Sequence, residues 1–432
     1  MKHNYTENAL VQERAGELLS RELGWRVELA YNREELGECG TYGRQSYKDV
    51  LLERELREAL PRLNPWITPD LTEMVLQDLK ENSITTPLLE INEIKFRHLR
   101  EGMKMLLRRG NKFKFDKHTV RLIDFEHPEN NSFLALKAMW VQGEVYKRSI
   151  DIVCFVNGFP LVFVKLKKTK ADVWDAYTRN YRDYCETIPQ LFHFNAFIVL
   201  SNGLQSKVGT LGSRYKFFHE WKRLREGDEG STSLETLLRG MCRKENLLDL
   251  VENFIIFDDS SGTPVKILAG NHQYLGVNAA VEAYVHRREL QGKLGVFWHT
   301  QGSGKSYSMV FLARKILRKF EGSPTIVVLT DRDVLKEQLS ATFAGCDLLF
   351  GVCPKVFMAE SGEDLYRSLT RNPSFIFTLI QNFNSDREPL TPDYDILIMS
   401  DEAYRSRYDI FAEQMRRWLP TASFISFTDT PR

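Results

Sequence analysis

Two constellations of residues in this sequence have the types and spacing to do chemistry. The first is the loop Gly302, Ser303, Gly304, Lys305 and Ser306, inside LGVFWHTQGSGKSYS. Gly302 and Gly304 let the backbone turn tightly with its N–H groups facing inward, which makes an anion cradle where a helix begins. Lys305 then reaches the β- and γ-phosphates of a nucleotide, and the Ser306 hydroxyl takes one position on Mg²⁺. Downstream, the apolar run Ile396, Leu397, Ile398, Met399 ends in the acid pair Asp401 and Glu402. Asp401 would hold the Mg²⁺ together with Ser306, and Glu402 would orient the attacking water, which is most of what phosphoryl transfer asks of side chains. The general phosphate-loop pattern wants a glycine where this chain has His299.

The second constellation lies in RSIDIVCFVNGFPLVFVKLKKTK, Arg148 to Lys170, where two β-rich runs flank Asn157 and Gly158, a strong hairpin signal. The turn sets Asp151 opposite roughly residues 164 to 166, and positions 165 and 167 share a face of the partner strand. A Mg²⁺-dependent nuclease needs two carboxylates to hold the metal and a lysine to position the nucleophile or neutralise developing charge. Asp151 and Lys167 meet that description, whereas Lys165 stands where the second acid belongs. The run Lys165, Lys167, Lys168 and Lys170 reads either as a solvated strand edge or as a contact to a DNA backbone.

The elements that must position these groups are legible in outline. Leu294, Val296, Phe297 and Trp298 suit a buried strand before the loop, and Met309, Leu312, Ala313, Ile316 and Leu317 recur at helical spacing after it. Apolar stripes predict helices over residues 6 to 23, Tyr47 to Leu63, Thr68 to Asn82 and Phe96 to Leu107. Short strand-like runs begin after Asp116. Small polar residues in DDSSGT, Asp258 to Thr263, mark a boundary. The expected domains are residues 1–258 and 259–432.

The 432 residues are 43% hydrophobic and 27% charged, ordinary for a globular protein, with room for two sizeable cores. Lys plus Arg number 59 against 58 Asp plus Glu, so any nucleic-acid surface is a local patch. Six cysteines show no metal-ligand spacing and fit reduced thiols. The start lacks the apolar core of a signal peptide and no apolar run could span a membrane, so a cytoplasmic protein is expected.

The stretch WHTQGSGKS resembles the first ATPase motif of superfamily 2 helicases and translocases. The hairpin, the segments Glu129 to Glu144 and Ala176 to Gly203, and the whole ATPase half resemble the restriction (R) subunit of type I restriction-modification enzymes. The resemblance implies an α/β fold: a restriction-endonuclease-like PD-(D/E)xK nuclease domain, then a RecA-like P-loop domain with a mostly parallel sheet. It assigns Asp151 to the metal-binding aspartate, Lys167 to the motif lysine and Lys165 to the position of its glutamate, while Ile150 stands at the motif's proline. Asn180 and Tyr184 fall on the family's supporting Gln/Asn-xxx-Tyr element, or are a surface polar residue and a half-buried tyrosine. Gln273, before a predicted helix, corresponds to the glutamine that reads adenine, a task its amide suits because it donates and accepts at once. Asp331, Arg332 and Gln338 fall on the next motif.

For function, the same resemblance implies ATP and Mg²⁺ as cofactors, double-stranded DNA as substrate, and the modification (methylase) and specificity subunits as partners. The implied activity is ATP-dependent translocation on, and endonucleolytic cleavage of, unmodified foreign DNA. Lys165, Tyr404 in place of a motif histidine and Asp429 in place of a motif glycine imply impaired catalysis, as does the second RecA-like domain expected after Arg432 and absent here. Two other readings are a non-catalytic remnant that binds DNA, ATP or partner subunits, and a remodelling ATPase without nuclease action.

Overall fold

The computed structural model of the chain describes residues 7–81, 85–108, 115–322, 324–346, 356–401 and 408–429. Glu402, Tyr404, Thr430 and Pro431 lie outside the described residues. The chain divides into two units, Met1–Ile255 with Val265–Asn271, and Ile256–Pro264 with His272–Arg432.

In the first unit, α1 (Glu7–Glu17) continues as a π-helical turn, Leu18–Glu22, and leads into β1 (Arg26–Leu29). Next come α2 (Glu53–Leu63), α3 (Pro69–Lys80) and α4 (Leu88–Glu101). The Thr68 side chain accepts a hydrogen bond from Leu71 N with Pro69 at the first helical position, so α3 starts where its residues favour a start. The helix expected over Phe96 to Leu107 is cut short. Gly102, at φ +75°, ends α4, and the following residues form β2 (Met103–Arg108), paired antiparallel with β3 (Phe115–Val120). An apolar run as short as MKMLLR has no decisive period, so the glycine stop and the pairing partner determine its form.

A meander of β4 (Phe133–Gln142), β5 (Lys147–Val156) and β6 (Phe159–Leu166) comes next. Asn157 and Gly158 make its turn at φ +49° and +86°, the left-handed pair that a two-residue hairpin demands. After α5 (Val173–Ala176) comes a π-helical turn, Tyr177–Tyr181, then α6 (Arg182–Thr187), β7 (Phe197–Ser201), β8 (Ser206–Gly209), α7 (Leu234–Met241) and α8 (Lys244–Asn253). The sheet runs β1-β4-β5-β6-β7-β8, with β1 parallel to β4 and β6 parallel to β7. Every residue of β6 and β7 is buried, as expected for central strands covered on both faces. Val153, Phe155, Phe163, Tyr181, Tyr184 and Phe192 belong to the core beneath the meander.

The chain passes between units through β9 (Ile255–Asp258) and β10 (Val265–Leu268). The second unit then alternates α9 (Asn271–Val285), β11 (Lys293–Trp298), α10 (Lys305–Lys319), β12 (Thr325–Thr330), α11 (Asp333–Gly345), β13 (Val356–Met358), α12 (Gly362–Leu369), β14 (Phe375–Leu379), β15 (Ile396–Asp401), α13 (Tyr408–Trp418) and β16 (Ser423–Thr428). Among the described residues its main sheet has six strands, all parallel, in the order β11-β16-β15-β12-β14-β13. All carboxyl ends therefore emerge along one rim, where open α/β sheets bind ligands. The expectation of a buried strand before the loop is revised. β11 is an edge strand, with Leu294 and Phe297 buried but Val296 and Trp298 54% and 51% exposed. Among the described residues, no helix is long and apolar enough to cross a membrane.

Candidate functional site

Along the rim of the second unit, the loop after β11 turns into α10 through Gly302 at φ +80° and Gly304 at φ +85°. A side chain at Gly304 would be strained in this left-handed conformation and would press on the Gln273 amide, its Cβ 3.0 Å from Nε2. The turn is braced internally, because Ser303 Oγ donates to Thr300 O at 2.6 Å. The first N–H groups of the fifteen-residue α10 have no helical acceptor and, with the helix dipole, favour an anion at this end.

Lys305 Nζ rests 3.7 Å from Asp401 Oδ1 at the end of β15, and both side chains are largely buried. The strand ends thus bring together the cation and one of the acids that the sequence nominates, with Ser306 on the same helical turn as Lys305. Gln273 is held against the loop: its Nε2 donates to Gly304 O at 2.9 Å and Ser308 Oγ at 3.2 Å. Beside it, the ring of His272 packs on His299 with centroids 4.5 Å apart. Burial, then the neighbouring His272, pushes His299 down to about 4, so it is neutral near pH 7. Asp331 follows β12, and its carbonyl accepts from Gln381 Nε2 at 3.0 Å, tying two of the rim loops together. Asp429 follows β16, and its carbonyl accepts from Trp298 Nε1 at 3.2 Å.

The first unit holds the other constellation. Ile152 pairs with Val164 across β5 and β6, which carries Asp151 and Lys165 to the next step of the ladder. Their side chains form an ion pair, Lys165 Nζ to Asp151 Oδ2 at 2.9 Å. The same Oδ2 accepts from Leu166 N at 2.7 Å. Burial opposes the charge on Lys165 most strongly, but Asp151 and Tyr184 together outweigh it and the ammonium is held above its ordinary range. The hydroxyl of Tyr184, buried on α6, accepts from the Lys165 ammonium and donates to Ser149 O at 3.3 Å. Burial first and Lys165 second push Lys167 down, so it lies within the same electrostatic field.

Asp151, Lys165, Lys167 and Tyr184 are thus together. Asn180 sits in the π-helical turn with its Oδ1 buried and without a hydrogen-bond partner among the described residues. One participant was invisible in the sequence: Gln12 of α1 donates from Nε2 to Asp151 O at 2.5 Å, across 139 residues. A bidentate pair, Arg148 with Asp183 at 2.8 and 3.0 Å, fixes α6 to β5 and with it Tyr184.

Do these groups suit the metal of a nuclease? They do not. A cation needs several oxygen donors, and the one carboxylate among these groups has its Oδ2 taken by an ammonium and a backbone N–H. Among the described residues, no cluster of three or more metal-ligating side chains occurs. The nucleotide cradle fits its ligand better, with open space around Gly302 and a lysine and an aspartate converging above a helix end.

Comparison with known proteins gives these sites a context. Residues 4–217 match the family model of the type I restriction enzyme R protein N terminus, and residues 272–432 match that of the SWI2/SNF2 ATPase. The chain is 34% identical over 441 residues to the type I restriction enzyme HindI endonuclease subunit of Haemophilus influenzae, covering 95% of this chain and 41% of that one. It is 25% identical over 301 residues to the type I restriction enzyme SauCOLORF180P endonuclease subunit of Staphylococcus aureus, 67% of this chain and 31% of that one. Among solved structures, the UvsW helicase from bacteriophage T4 aligns over 44% of this chain and 60% of its own, at 17% identity and a TM-score of 0.30, too slight a likeness to argue from. The chain spans about two fifths of the length of the first of these relatives, 41%.

Proposed function

The chain belongs to the family of type I restriction enzyme endonuclease subunits, and on that premise we propose that it is an ATP-binding, DNA-engaging restriction subunit whose own nuclease centre is silent. The observation that carries the nucleotide reading is the convergence of Lys305 and Asp401 at 3.7 Å above the left-handed glycine loop. In this reading the loop amides and Lys305 hold the phosphates of ATP, and Ser306 and Asp401 hold Mg²⁺. The bound cation would neutralise phosphate charge in the transition state. Lys305, which rests on Asp401 in the structure, would hold the phosphates. Gln273, already fixed on Gly304 O, links nucleotide recognition to the shape of the loop. Glu402 is the proposed positioner of water. ATP-driven translocation on double-stranded DNA, and assembly with methylase and specificity subunits, belong to the same reading.

The first unit supports the second half of the proposal. With Lys165 paired to Asp151, the strand that should offer a second carboxylate offers a cation, so no metal-dependent cleavage step is assigned to this chain. The half-buried Lys167 and the exposed Lys168 and Lys170 beside this pair would nonetheless attract a phosphodiester backbone.

The test is titration with a fluorescent ATP analogue in Mg²⁺. Lys305→Ala should bind about tenfold to a hundredfold more weakly, the cost of losing a charge-assisted hydrogen bond. Equal affinity of the two proteins would remove the nucleotide reading.

A further inference from the structure

In the first unit, the exposed Trp174 lies against two half-buried tyrosines, Tyr177 and Tyr215, at the border of the core. The helical segment after the lysine run passes through the π-helical turn Tyr177–Tyr181. Such turns re-aim side chains and recur at functional sites. Here Tyr181 is buried in the core, while Trp174 lies outward at 46% exposure and stacks on Tyr177, with centroids 5.6 Å apart and planes 23° from parallel. Tyr215 meets the edge of Trp174 at 4.7 Å and that of Tyr177 at 5.4 Å, and the Tyr177 hydroxyl donates to Ser213 O at 3.1 Å. The indole is therefore clamped on one side and open on the other.

Charge surrounds the rings on the same terms. Lys168 and Lys170, a few residues before Trp174, are exposed. On the other side Lys207 Nζ lies 5.3 Å from the Tyr215 ring, and Lys216 lies over Phe217, itself 61% exposed. Each nearby acid has a partner, although Asp172 and Glu220 still act on Tyr215. Asp172 accepts from Trp174 N at 2.9 Å, Asp175 pairs with Arg179 at 3.2 Å, and Glu220 pairs with Lys222 at 2.9 Å. What faces outward is an aromatic surface rimmed by ammonium groups. Lys167, which feels both Asp151 and Asp175, connects it to the cleft.

We infer that Trp174, Tyr177 and Tyr215 form a stacking platform for the bases of single-stranded DNA, with Lys168, Lys170 and Lys207 on its phosphates. Base pairs in a duplex already stack on one another and offer such a platform nothing. Unpaired bases each present a π-face, and the combination of exposed rings with a cationic border is what holds them without regard to sequence. The inference rests on the DNA-engaging reading above and names the strand form that this unit takes.

The test is photo-crosslinking of the full chain to oligodeoxythymidylate carrying 5-iododeoxyuridine, with adducts mapped by mass spectrometry, alongside anisotropy titrations of the same oligonucleotide, an abasic oligonucleotide of equal length and a duplex. Adducts are expected on peptides holding Trp174, Tyr177 or Tyr215. Trp174→Ala should weaken binding of the thymidylate about tenfold, Trp174→Phe should restore most of it, and the abasic strand should not distinguish the three proteins. Duplex binding with adducts only elsewhere, or with no effect of Trp174→Ala, overturns the platform and leaves the DNA reading standing. Failure to bind either single-stranded or duplex DNA overturns both.

Discussion

Lys165 is the residue on which the nuclease question turns. Its ammonium lies 2.9 Å from Asp151 Oδ2, on the carboxylate that would hold a divalent cation, and brings charge without any coordination position. Lys165→Glu should therefore release Asp151 and create a two-carboxylate pair beside Lys167. The expected outcome is Mn²⁺ binding detectable by electron paramagnetic resonance and nicking of supercoiled plasmid, both missing from the unaltered chain. Nicking by the unaltered chain would show that the centre works with Lys165 in place. A second residue makes the pH dependence of stability testable. Burial, with Lys95 nearby, pushes His193 down to about 4 from an ordinary 6.5. The unfolded chain then takes up the proton more readily, so the contribution of His193 is fully present above pH 6.5 and lost as pH falls toward 4. Thermal unfolding of the unaltered chain should fall relative to His193→Phe across that window, and parallel curves would contradict this account.

At the scale of elements, the β5–β6 hairpin sets the register that pairs Asp151 with Lys165. Asn157 holds its turn: its Nδ2 donates to Leu122 O at 3.0 Å and Asn131 Oδ1 at 2.8 Å, while its Oδ1 accepts from Ser132 N at 2.8 Å. Gly158 has φ +86°, and a Cβ there would lie 2.5 Å from Leu52 O. Gly158→Ala combines backbone strain with a clash against main chain, so it should destabilise the first unit by about 1–3 kcal/mol in urea unfolding. A loss below a few tenths would mean that the turn relaxes freely. The turn dipeptide announced the hairpin in the sequence because only such residues adopt these angles at low cost. The strand over Met103–Arg108 and the edge position of β11 were not legible, since short apolar runs have no distinctive period and strand order is set by distant partners.

At the scale of the molecule, two units with separate cores predict separate unfolding events. Calorimetry should resolve two transitions, and a Mg²⁺-ATP analogue at about a hundredfold its Kd should stabilise one of them by roughly 2.7 kcal/mol. Lys305→Ala should abolish that shift. Movement of both transitions together would show that the units unfold as one. With a net charge of +1, DNA contact depends on local patches such as the one around Trp174, and binding should weaken steeply with salt.

The sequence by itself determined the chemistry on offer: a glycine loop with Lys305 and Ser306, an acid pair at a strand end, and a hairpin carrying Asp151 with a lysine where an acid belongs. Those features are local, fixed by residue type, turn angles and alternation within a few positions. Only the tertiary structure decided what the groups do to one another. The parallel order of the second sheet sets Lys305 beside Asp401, and the packing of α1 brings Gln12 onto Asp151. Tyr181 of the π-helical turn lies inward, while Trp174 of α5 lies outward. The Lys165 ammonium sits on Asp151 because β6 is buried along its whole length, and a buried charge must find its counter-charge nearby.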